Sequence, residues 1–360
     1  MRRAAIIGTG AIASSHAEAV RAAGDRIELV AVVDVDAQRA DDFAEQWDVP
    51  EVYRSLAALL DAEELDVVHI CTPPRSHLPL ALECLAADVH VLLEKPPALS
   101  LSEIDTLIAA ERASGGRVAT VFQHRFGPAA IRLRRLVAEG VLGRSLVAKC
   151  DTLWYRDGAY YEVPWRGDWG SEGGGPTMGH GIHQFDLMLS VLGPWQEIRA
   201  VAARQARDVR TEDVSMALVT FADGTVASVV NSVLSPRETS ELRFDFERAT
   251  VEVEHLYGYS DADWTITPAP GQDEVVARWR EERSEVVSGH GCQLTTFLDA
   301  LDAGESPPVT LADTRNTMEF IAALYASAFT GTVVKAGQIG PDSPFYATME
   351  GSGAPWANAR

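Results

Sequence analysis

Lysine is scarce in this 360-residue chain: three of its 31 basic residues are lysines, Lys95, Lys149 and Lys335, and the rest are arginines. Arginine does not release its proton in proteins whereas lysine can, so a lysine near a ligand site is a candidate for proton exchange. Positive charge is short as well, because 52 acidic residues bring the formal net charge to −21. A surface this acidic repels phosphate backbones and anionic lipids, so neither nucleic acid nor a membrane is an expected partner.

Cysteine is also rare: the four cysteines show no CxxC spacing, which indicates reduced thiols in a cytoplasmic protein and excludes a disulfide framework or a zinc site. No apolar run approaches the ~18–20 residues of a membrane span. Gly8 and Gly10 interrupt the apolar N-terminal stretch, so it is not interpreted as a signal peptide. The length and the 46% hydrophobic content predict two folded domains.

The first third of the chain alternates between apolar runs and segments with helical spacing. Strands are predicted at 4–8, 27–34, 66–72, 90–93 and 117–122, and helices at 11–23, 37–47, 77–87 and 101–113. Continuous apolar strands that alternate with helices are typical of a parallel sheet covered on both faces. The pattern therefore predicts a Rossmann-type domain over residues 1–122.

Strands dominate the remainder, which is assigned to a second domain over residues 123–360. They are predicted at 145–155, 198–205, 214–221, 225–234, 243–247 and 250–255, with helices at 128–139, 181–192, 292–302 and 311–329. This pattern predicts an α+β domain built on a mostly antiparallel sheet with helices on one side. The last ~20 residues, rich in Gly, Pro and Ala, are expected to form an extended tail.

A dinucleotide-binding pattern follows the first strand. Gly8, Gly10 and Ala13 form GxGxxA at the start of a helix, and Asp34 ends the second strand. The glycines permit a tight turn and close approach of a pyrophosphate, which Ala11 and Ile12 at the helix N-terminus would also meet. Asp34 is placed to bind the ribose hydroxyls and would repel a 2'-phosphate, so NAD is predicted in preference to NADP, although Arg39 nearby argues the other way.

A second pattern, Glu94–Lys95–Pro96, lies at the carboxyl end of a sheet strand, where open α/β sheets bind ligands. There Lys95 can donate to a substrate oxygen. With the stretch that contains Thr72, Pro73 and His77, and with His124 and Arg125 after the last strand, the sequence resembles the Gfo/Idh/MocA oxidoreductases. The resemblance implies that Lys95 touches the reacting hydroxyl, and that the Thr72–His77 stretch, together with Glu94 and Lys95, lies near the cofactor.

The glycine run 173–175 precedes His180, His183 and Asp186, which are spaced three apart. The glycines are expected to let the backbone approach a ligand. No further ligand cluster completes a metal site, so no metal is predicted. The family resemblance implies that His183 is the general acid or base and that Asp186 is its companion. The family's aspartate four residues before the histidine is absent, because Gly179 stands there, and this puts the usual arrangement in doubt.

Six tryptophans and tyrosines fall between residues 151 and 169. Aromatic faces pack on sugar rings, and arginines bind carboxylates or several hydroxyls; core or interface packing is the alternative. The predicted substrate-binding residues come from this segment, from the glycine-run histidines and from the ends of the first-domain strands. They are Lys95, His124, Arg125, Trp154, Arg156, Tyr160, Trp165, Arg166, His180, His183 and Asp186.

These observations predict an NAD-dependent dehydrogenase of a sugar, polyol or sugar derivative, with Lys95 and His183 as catalytic residues. Two alternatives stay open: a glycosidase that oxidises its substrate transiently, and a non-catalytic NAD-responsive binding protein. The resemblance also implies that the second domain contains a large open sheet. Because one face of such a sheet is left uncovered, a homodimer or homotetramer is predicted. The identity of the substrate and the direction of the reaction are not predicted.

Overall fold

The computed structural model describes residues 1–357 and contains fourteen strands within that range. In chain order these are β1 Arg2–Ile7, β2 Ile27–Val33, β3 Glu51–Tyr53, β4 Val67–Ile70, β5 His90–Leu93, β6 Val118–Thr120, β7 Ser145–Tyr155, β8 Trp195–Ala203, β9 Val214–Phe221, β10 Val226–Ser232, β11 Leu234–Phe246, β12 Ala249–His255, β13 Trp264–Pro268 and β14 Val334–Lys335.

Thirteen α-helices accompany the strands over the same residues. They are α1 Ala13–Ala22, α2 Ala37–Trp47, α3 Leu56–Ala62, α4 His77–Ala86, α5 Leu101–Arg112, α6 Pro128–Ala138, α7 Trp169–Glu172, α8 Pro176–Gly179, α9 Ile182–Leu192, α10 Asp273–Arg280, α11 His290–Ala303, α12 Leu311–Thr330 and α13 Pro344–Ala347. No helix in residues 1–357 combines the length and the apolar content needed to cross a bilayer.

The chain forms two compact units. The first comprises residues 1–98, 102–121 and 290–315, and the second comprises residues 99–101, 122–289 and 316–360. The first unit holds a six-stranded parallel sheet in the order β3-β2-β1-β4-β5-β6. The central strands are buried on both faces: Ala4–Ile7, Val67–Ile70 and Val91–Leu93 have almost no exposure. The prediction of a Rossmann-type parallel sheet is confirmed.

The second unit holds an eight-stranded sheet in the order β13-β12-β11-β7-β10-β9-β8-β14. Only β10 and β7 run parallel, so the prediction of a mostly antiparallel sheet is confirmed. Asp223 and Gly224 form the hairpin turn between β9 and β10, and Gly224 adopts a φ of 91°. On one face of this sheet Val201, Met216 and Leu218 are 64%, 48% and 67% exposed, so apolar surface is left uncovered within the unit.

Two sequence-based expectations about the second unit are wrong. The segment expected to be an extended tail instead contains α13, and Phe345, Met349 and Trp356 are buried. The indole N–H of Trp356 donates to the carbonyl of Arg210 at 3.0 Å, which anchors the segment. The strand expected at 243–247 begins earlier, at Leu234, because the polar residues before it pair with β7 through a shift in register.

Cys71, Cys84 and Cys150 are buried and form no disulfide. Burial raises the pKa of all three thiols, that of Cys84 to about 12. Three buried thiols are therefore protonated at neutral pH.

Candidate active site

The turn between β1 and α1 has the geometry of a phosphate-binding loop. Gly8 adopts a φ of 88°, and a Cβ there would come within 2.9 Å of the Thr72 side chain and 3.0 Å of the Cys71 backbone. A Cβ built on Gly10 meets nothing within 4 Å, so this side of the turn is open. The first glycine is required by packing, while the second leaves the backbone accessible to a ligand at the helix N-terminus.

A groove of about 470 Å³ adjoins this turn, within the roughly 300–1,000 Å³ typical of ligand pockets. Its lining residues come from the glycine turn and from α2: Thr9, Gly10, Ala11, Ser14, Asp36, Gln38, Arg39, Asp42, Phe43 and Gln46. The shape and the donor set of the first unit thus fit a dinucleotide.

Asp34 lies beside the groove, and its carboxylate is heavily hydrogen-bonded. It accepts from the backbone and hydroxyl of Thr9, from the backbone of Asp36 and, in a two-pronged pair at 3.1 and 2.7 Å, from Arg39. Burial alone would raise the pKa of Asp34, but these donors lower it to about 2. Asp34 is therefore a fixed negative charge, and Arg39 is its partner in the protein without ligand.

The loops after β4 and β5 are tied together by His77. Its ring nitrogens lie 2.7 Å from the carbonyl oxygens of Thr72 and Pro96. Lys95 is the second residue after β5 and is partly exposed, and its backbone N–H donates to the Glu94 carboxylate at 3.0 Å. The residues predicted to meet the cofactor therefore line the carboxyl edge of one parallel sheet, since all its strands end there.

Glu94 is the centre of a cluster that the sequence does not reveal. Its Oε1 accepts hydrogen bonds from His16 and His290, each at 3.0 Å. The ligand-type atoms of these three side chains lie within 4.8 Å of one another, an arrangement compatible with a metal ion as well as with direct hydrogen bonds. Burial would raise the pKa of Glu94, but the two imidazoles hold it well below its usual value.

His69 extends this cluster, with its Nδ1 2.9 Å from Nδ1 of His16. Burial lowers the pKa of His16, and that of His69 is well below the usual 6.5. Neutral rings account for the contacts: His69 donates to His16, and His16 donates to Glu94. No local signal links residues 16, 69, 94 and 290, because they come from four separate elements.

In the second unit, His183 lies in the first turn of α9 within a group of imidazoles. Its ring centroid is 4.9 Å from that of His124, which is itself 4.9 Å from His255. The Gln184 amide donates to His255 at 3.1 Å, and His124 donates to the Tyr257 carbonyl at 2.7 Å. Burial, and then the neighbouring His124, lowers the pKa of His255 to about 3.

Arg125 and Asp186, both predicted to bind substrate, contact each other. The guanidinium and carboxylate form two hydrogen bonds of 2.5 and 2.7 Å, and the Asp186 side chain is fully buried. This pair joins the segment after β6 to α9, the helix that carries His183. In this structure the pair supports the histidine helix.

Side chains of the aromatic segment contact one another and His180. We call this group the aromatic–arginine cluster; its members are Trp154, Arg156, Tyr160, Trp165, Arg166 and His180. The Arg156 guanidinium lies 4.7 Å from the Trp154 ring, and that of Arg166 lies 3.8 Å from the Tyr160 ring. The Trp154 and His180 rings meet edge to face at 4.8 Å. The structure thus brings together the predicted substrate residues of this segment.

The glycine run makes room for protein groups, so the expectation that it approaches a ligand is corrected. A Cβ on Gly174 would lie 2.3 Å from the Tyr325 hydroxyl, and one on Gly175 would lie 2.1 Å from the Glu212 carbonyl. The buried Glu212 carboxylate accepts from the backbone of Gly175 and Thr177 and from the Tyr325 hydroxyl. Sequence reasoning missed Glu212, which orders the entry to α8.

The fold and groove of the first unit define a dinucleotide-binding oxidoreductase domain. Residues 2–122 match the model of the "Oxidoreductase family, NAD-binding Rossmann fold", and residues 130–252 match the "GFO/IDH/MocA C-terminal domain". The chain belongs to the Gfo/Idh/MocA oxidoreductase family. The predictions of the family, of the fold class and of an NAD-binding oxidoreductase are therefore confirmed.

Relatives of known activity match along nearly the whole chain. D-glucoside 3-dehydrogenase of Escherichia coli (strain K12) is 29% identical over 92% of this chain and 97% of its own. D-apiose dehydrogenase of Paraburkholderia graminis is 26% identical over 98% and 94%. Among solved structures, the WlbA dehydrogenase of Chromobacterium violaceum in complex with NADH and UDP-GlcNAcA is 25% identical, with a TM-score of 0.81 over 93% of this chain and 95% of that chain.

Proposed function

We propose that this protein is an NAD-dependent dehydrogenase that oxidises a hydroxyl group of a sugar, polyol or sugar derivative, or reduces the corresponding carbonyl. The observation that carries the proposal is the position of Lys95 two residues after β5, at the sheet edge that also bears the glycine turn and Asp34. The relatives named for glucoside and apiose oxidation support a carbohydrate substrate. We assign residues 1–122 to cofactor binding and residues 123–360 to substrate binding and self-association.

The residues present fit a dinucleotide. Gly8, Gly10, Ala11 and Ile12 would hold its pyrophosphate, Asp34 its adenosine ribose, and Thr72, Pro73, His77, Glu94 and Lys95 its nicotinamide half. Bound NAD supplies hydride acceptance. The five hydrogen bonds that keep Asp34 ionised favour NAD over NADP, because a fixed carboxylate repels a 2'-phosphate.

Proton transfer is the task of the protein's own side chains. The Lys95 ammonium donates to the substrate oxygen, and His183 takes up or returns the hydroxyl proton, for which a near-neutral pKa is suited. The Arg125–Asp186 pair holds α9 so that His183 keeps its place. The faces of Trp154, Tyr160 and Trp165 offer packing for sugar C–H groups.

We further propose a homodimer or homotetramer in the cytoplasm. The exposed valine, methionine and leucine on one face of the eight-stranded sheet support self-association. Three buried thiols that form no disulfide support a reducing compartment.

The test is a screen of glucosides, pentoses and inositols with NAD, followed by NADH absorbance. For a substrate that is turned over, Lys95→Ala and His183→Ala are expected to lower kcat by about 10²- to 10⁴-fold. Lys335→Ala, at an exposed lysine in β14, is the matched control and should leave kcat unchanged.

If neither Lys95→Ala nor His183→Ala slows turnover, the assignment of the two residues is wrong. Cofactor retained through many turnovers without net NADH formation would instead indicate the glycosidase. NAD binding without turnover of any compound in the panel would indicate the binding protein.

A further inference from the structure

Glu172 places a buried carboxylate beside a glycine in the second unit. Glu172 is the last residue of α7, and Gly173 after it adopts a φ of 84°, which turns the chain into the glycine run. The Glu172 side chain is 7% exposed. Its Oε2 accepts a hydrogen bond from the backbone N–H of Gly167 at 2.6 Å. Its Oε1 lies 3.5 Å from the point where a Cβ on Gly179 would stand.

The absence of a side chain at position 179 is what allows this approach. Gly179 ends α8, four residues before His183, and it is partly exposed whereas the neighbouring Met178 and His180 are buried. Within residues 1–357, and apart from its chain neighbours and the backbone of its own helix, Glu172 Oε1 is the one heavy atom within 4 Å of this Cβ position. The Glu172 carboxylate therefore stands within a side chain's length of Gly179.

Glu172 is also joined to the aromatic–arginine cluster. Its Oε1 is 3.9 Å from the Arg166 guanidinium, which hydrogen-bonds the Tyr160 hydroxyl. The Tyr160 hydroxyl lies 3.4 Å from Nε2 of His180. A cationic partner offsets the cost of burying a carboxylate, and Arg166 and Tyr160 connect Glu172 to His180 of the predicted substrate site.

The other buried glutamate of this region, Glu212, has a different role from Glu172. Both of its oxygens are used to order the backbone of the glycine run and to bind Tyr325. Oε1 of Glu172 instead lies 3.5 Å from the Cβ position of Gly179 and 3.9 Å from a guanidinium that stacks on Tyr160. The two glutamates therefore separate into one that builds the fold and one that faces the site.

We propose that Glu172 is a substrate-binding residue that accepts a hydrogen bond from a substrate hydroxyl beside Gly179. The inference rests on the proposed dehydrogenase function and names the chemistry of one subsite. A carboxylate oxygen there accepts a hydrogen bond, so the subsite selects a hydroxyl-bearing group. The glycine at 179 is the complement of Glu172, because a second carboxylate at 179 would repel the first.

The experiment moves the carboxylate from position 172 to position 179. Glu172→Gln is expected to lower kcat/KM by about 10- to 100-fold, mostly through KM, since a charged acceptor for a substrate hydroxyl is lost. Gly179→Asp alone is also expected to lower kcat/KM, because two carboxylates then compete for one place. The double variant E172Q/G179D should regain most of the loss, and the control E172Q/G179N should not.

Asp168→Asn removes a partly exposed carboxylate at the start of the same segment, where it pairs with Arg210, and should leave kcat/KM unchanged. The proposal is overturned if E172Q/G179D is no better than E172Q, or if G179N rescues as well as G179D. It is also overturned if G179D alone is as active as the parent. That last result decides the matter even if Glu172→Gln does not fold.

A readout without turnover separates this inference from the proposed function. With Glu172 present, the Tm of G179D should be lower than the Tm of G179N. In the E172Q background, the Tm values of the two position-179 variants should be equal. If the parent oxidises nothing in the panel, the proposed function fails, and the Tm coupling still decides whether the two positions share one carboxylate place. Equal Tm differences in both backgrounds would overturn the inference.

Discussion

The carboxylate of Asp34 and the guanidinium of Arg39 form a two-pronged ion pair at the end of β2, with contacts of 2.7 and 3.1 Å. The acid is buried while the arginine side chain is about half exposed, at 49%. The arginine is thus the member of the pair that is free to turn outward. If Asp34 binds the adenosine ribose as proposed, Arg39 is the residue expected to decide how strictly a 2'-phosphate is refused.

The first prediction concerns cofactor choice. Asp34→Ser removes the negative charge and releases Arg39, so the ratio of kcat/KM for NAD to that for NADP should fall by about 10-fold or more. Initial rates with each cofactor measure it. The double variant D34S/R39A is the control, since it lacks the cation and should not gain activity with NADP. Equal ratios in the parent and in D34S would contradict the assignment of Asp34.

The second prediction concerns pH and the buried His69. Because its pKa in the fold is lowered well below 6.5, the unfolded chain binds a proton that the folded chain refuses between those two values. The free energy of unfolding should therefore fall as the pH drops below about 6.5, by up to ~1.4 kcal/mol per pH unit for each such histidine. Above that pH this contribution is constant.

His69→Asn keeps a polar group toward His16 but does not titrate. The variant should be less stable at pH 7.5, because a cavity is left, yet its stability should fall less steeply between pH 6.5 and 5. Urea unfolding at a series of pH values provides the measurement. A slope as steep as that of the parent would assign the acid sensitivity to other groups.

The third prediction concerns the uncovered sheet face of the second unit. Leu218 is 67% exposed on β9, so Leu218→Glu places a charge within the apolar surface proposed for self-association. A lower mass in sedimentation velocity is expected, with the fold retained by circular dichroism. Ile131→Glu, at a half-exposed position on α6, is the matched control. An unchanged mass for Leu218→Glu would show that this face is not the interface.

Sequence periodicity predicts the first unit well, and the reason is physical. A parallel strand that is buried on both faces needs a continuous apolar run, so Val67–Ile70 and Ile27–Val33 stand out among polar neighbours. The helix at 37–47 is bounded by Asp36, whose side chain caps its N-terminus, and by Asp48 in a left-handed conformation. Local chemistry of this kind can be seen in a sequence.

Long-range relationships could not be predicted in the same way. His290 meets Glu94 across 196 positions of the chain, and the segment 290–315 joins the first compact unit. Periodicity carries no information on such pairings, because it reports only which face of an element is apolar. Phe345 and Trp356 were the available signal that the C-terminal segment packs, since large aromatics in a glycine-rich stretch have to be covered by something.

The candidate site was predictable in its residue types and less so in its partnerships. Lys95, His183 and the aromatic–arginine residues follow from motifs and composition. That Arg125 binds Asp186 depends on how segments 61 positions apart meet in the second unit. That Glu172 lies beside Gly179 depends on how the chain turns at Gly173 between two short helices. A missing carboxylate in a motif is visible in the sequence, whereas its replacement from another helix is visible only in three dimensions.

The buried thiols give the protein a set of internal reporters. Cys71 and Cys84 lie in the first unit and Cys150 in the second, and none presents a reactive thiolate while its surroundings stay closed. The rate at which each is labelled by a thiol reagent therefore measures how often its own region opens. Labelling of these native cysteines, detected from the masses of their peptides, would show which of the two units opens first as the temperature rises.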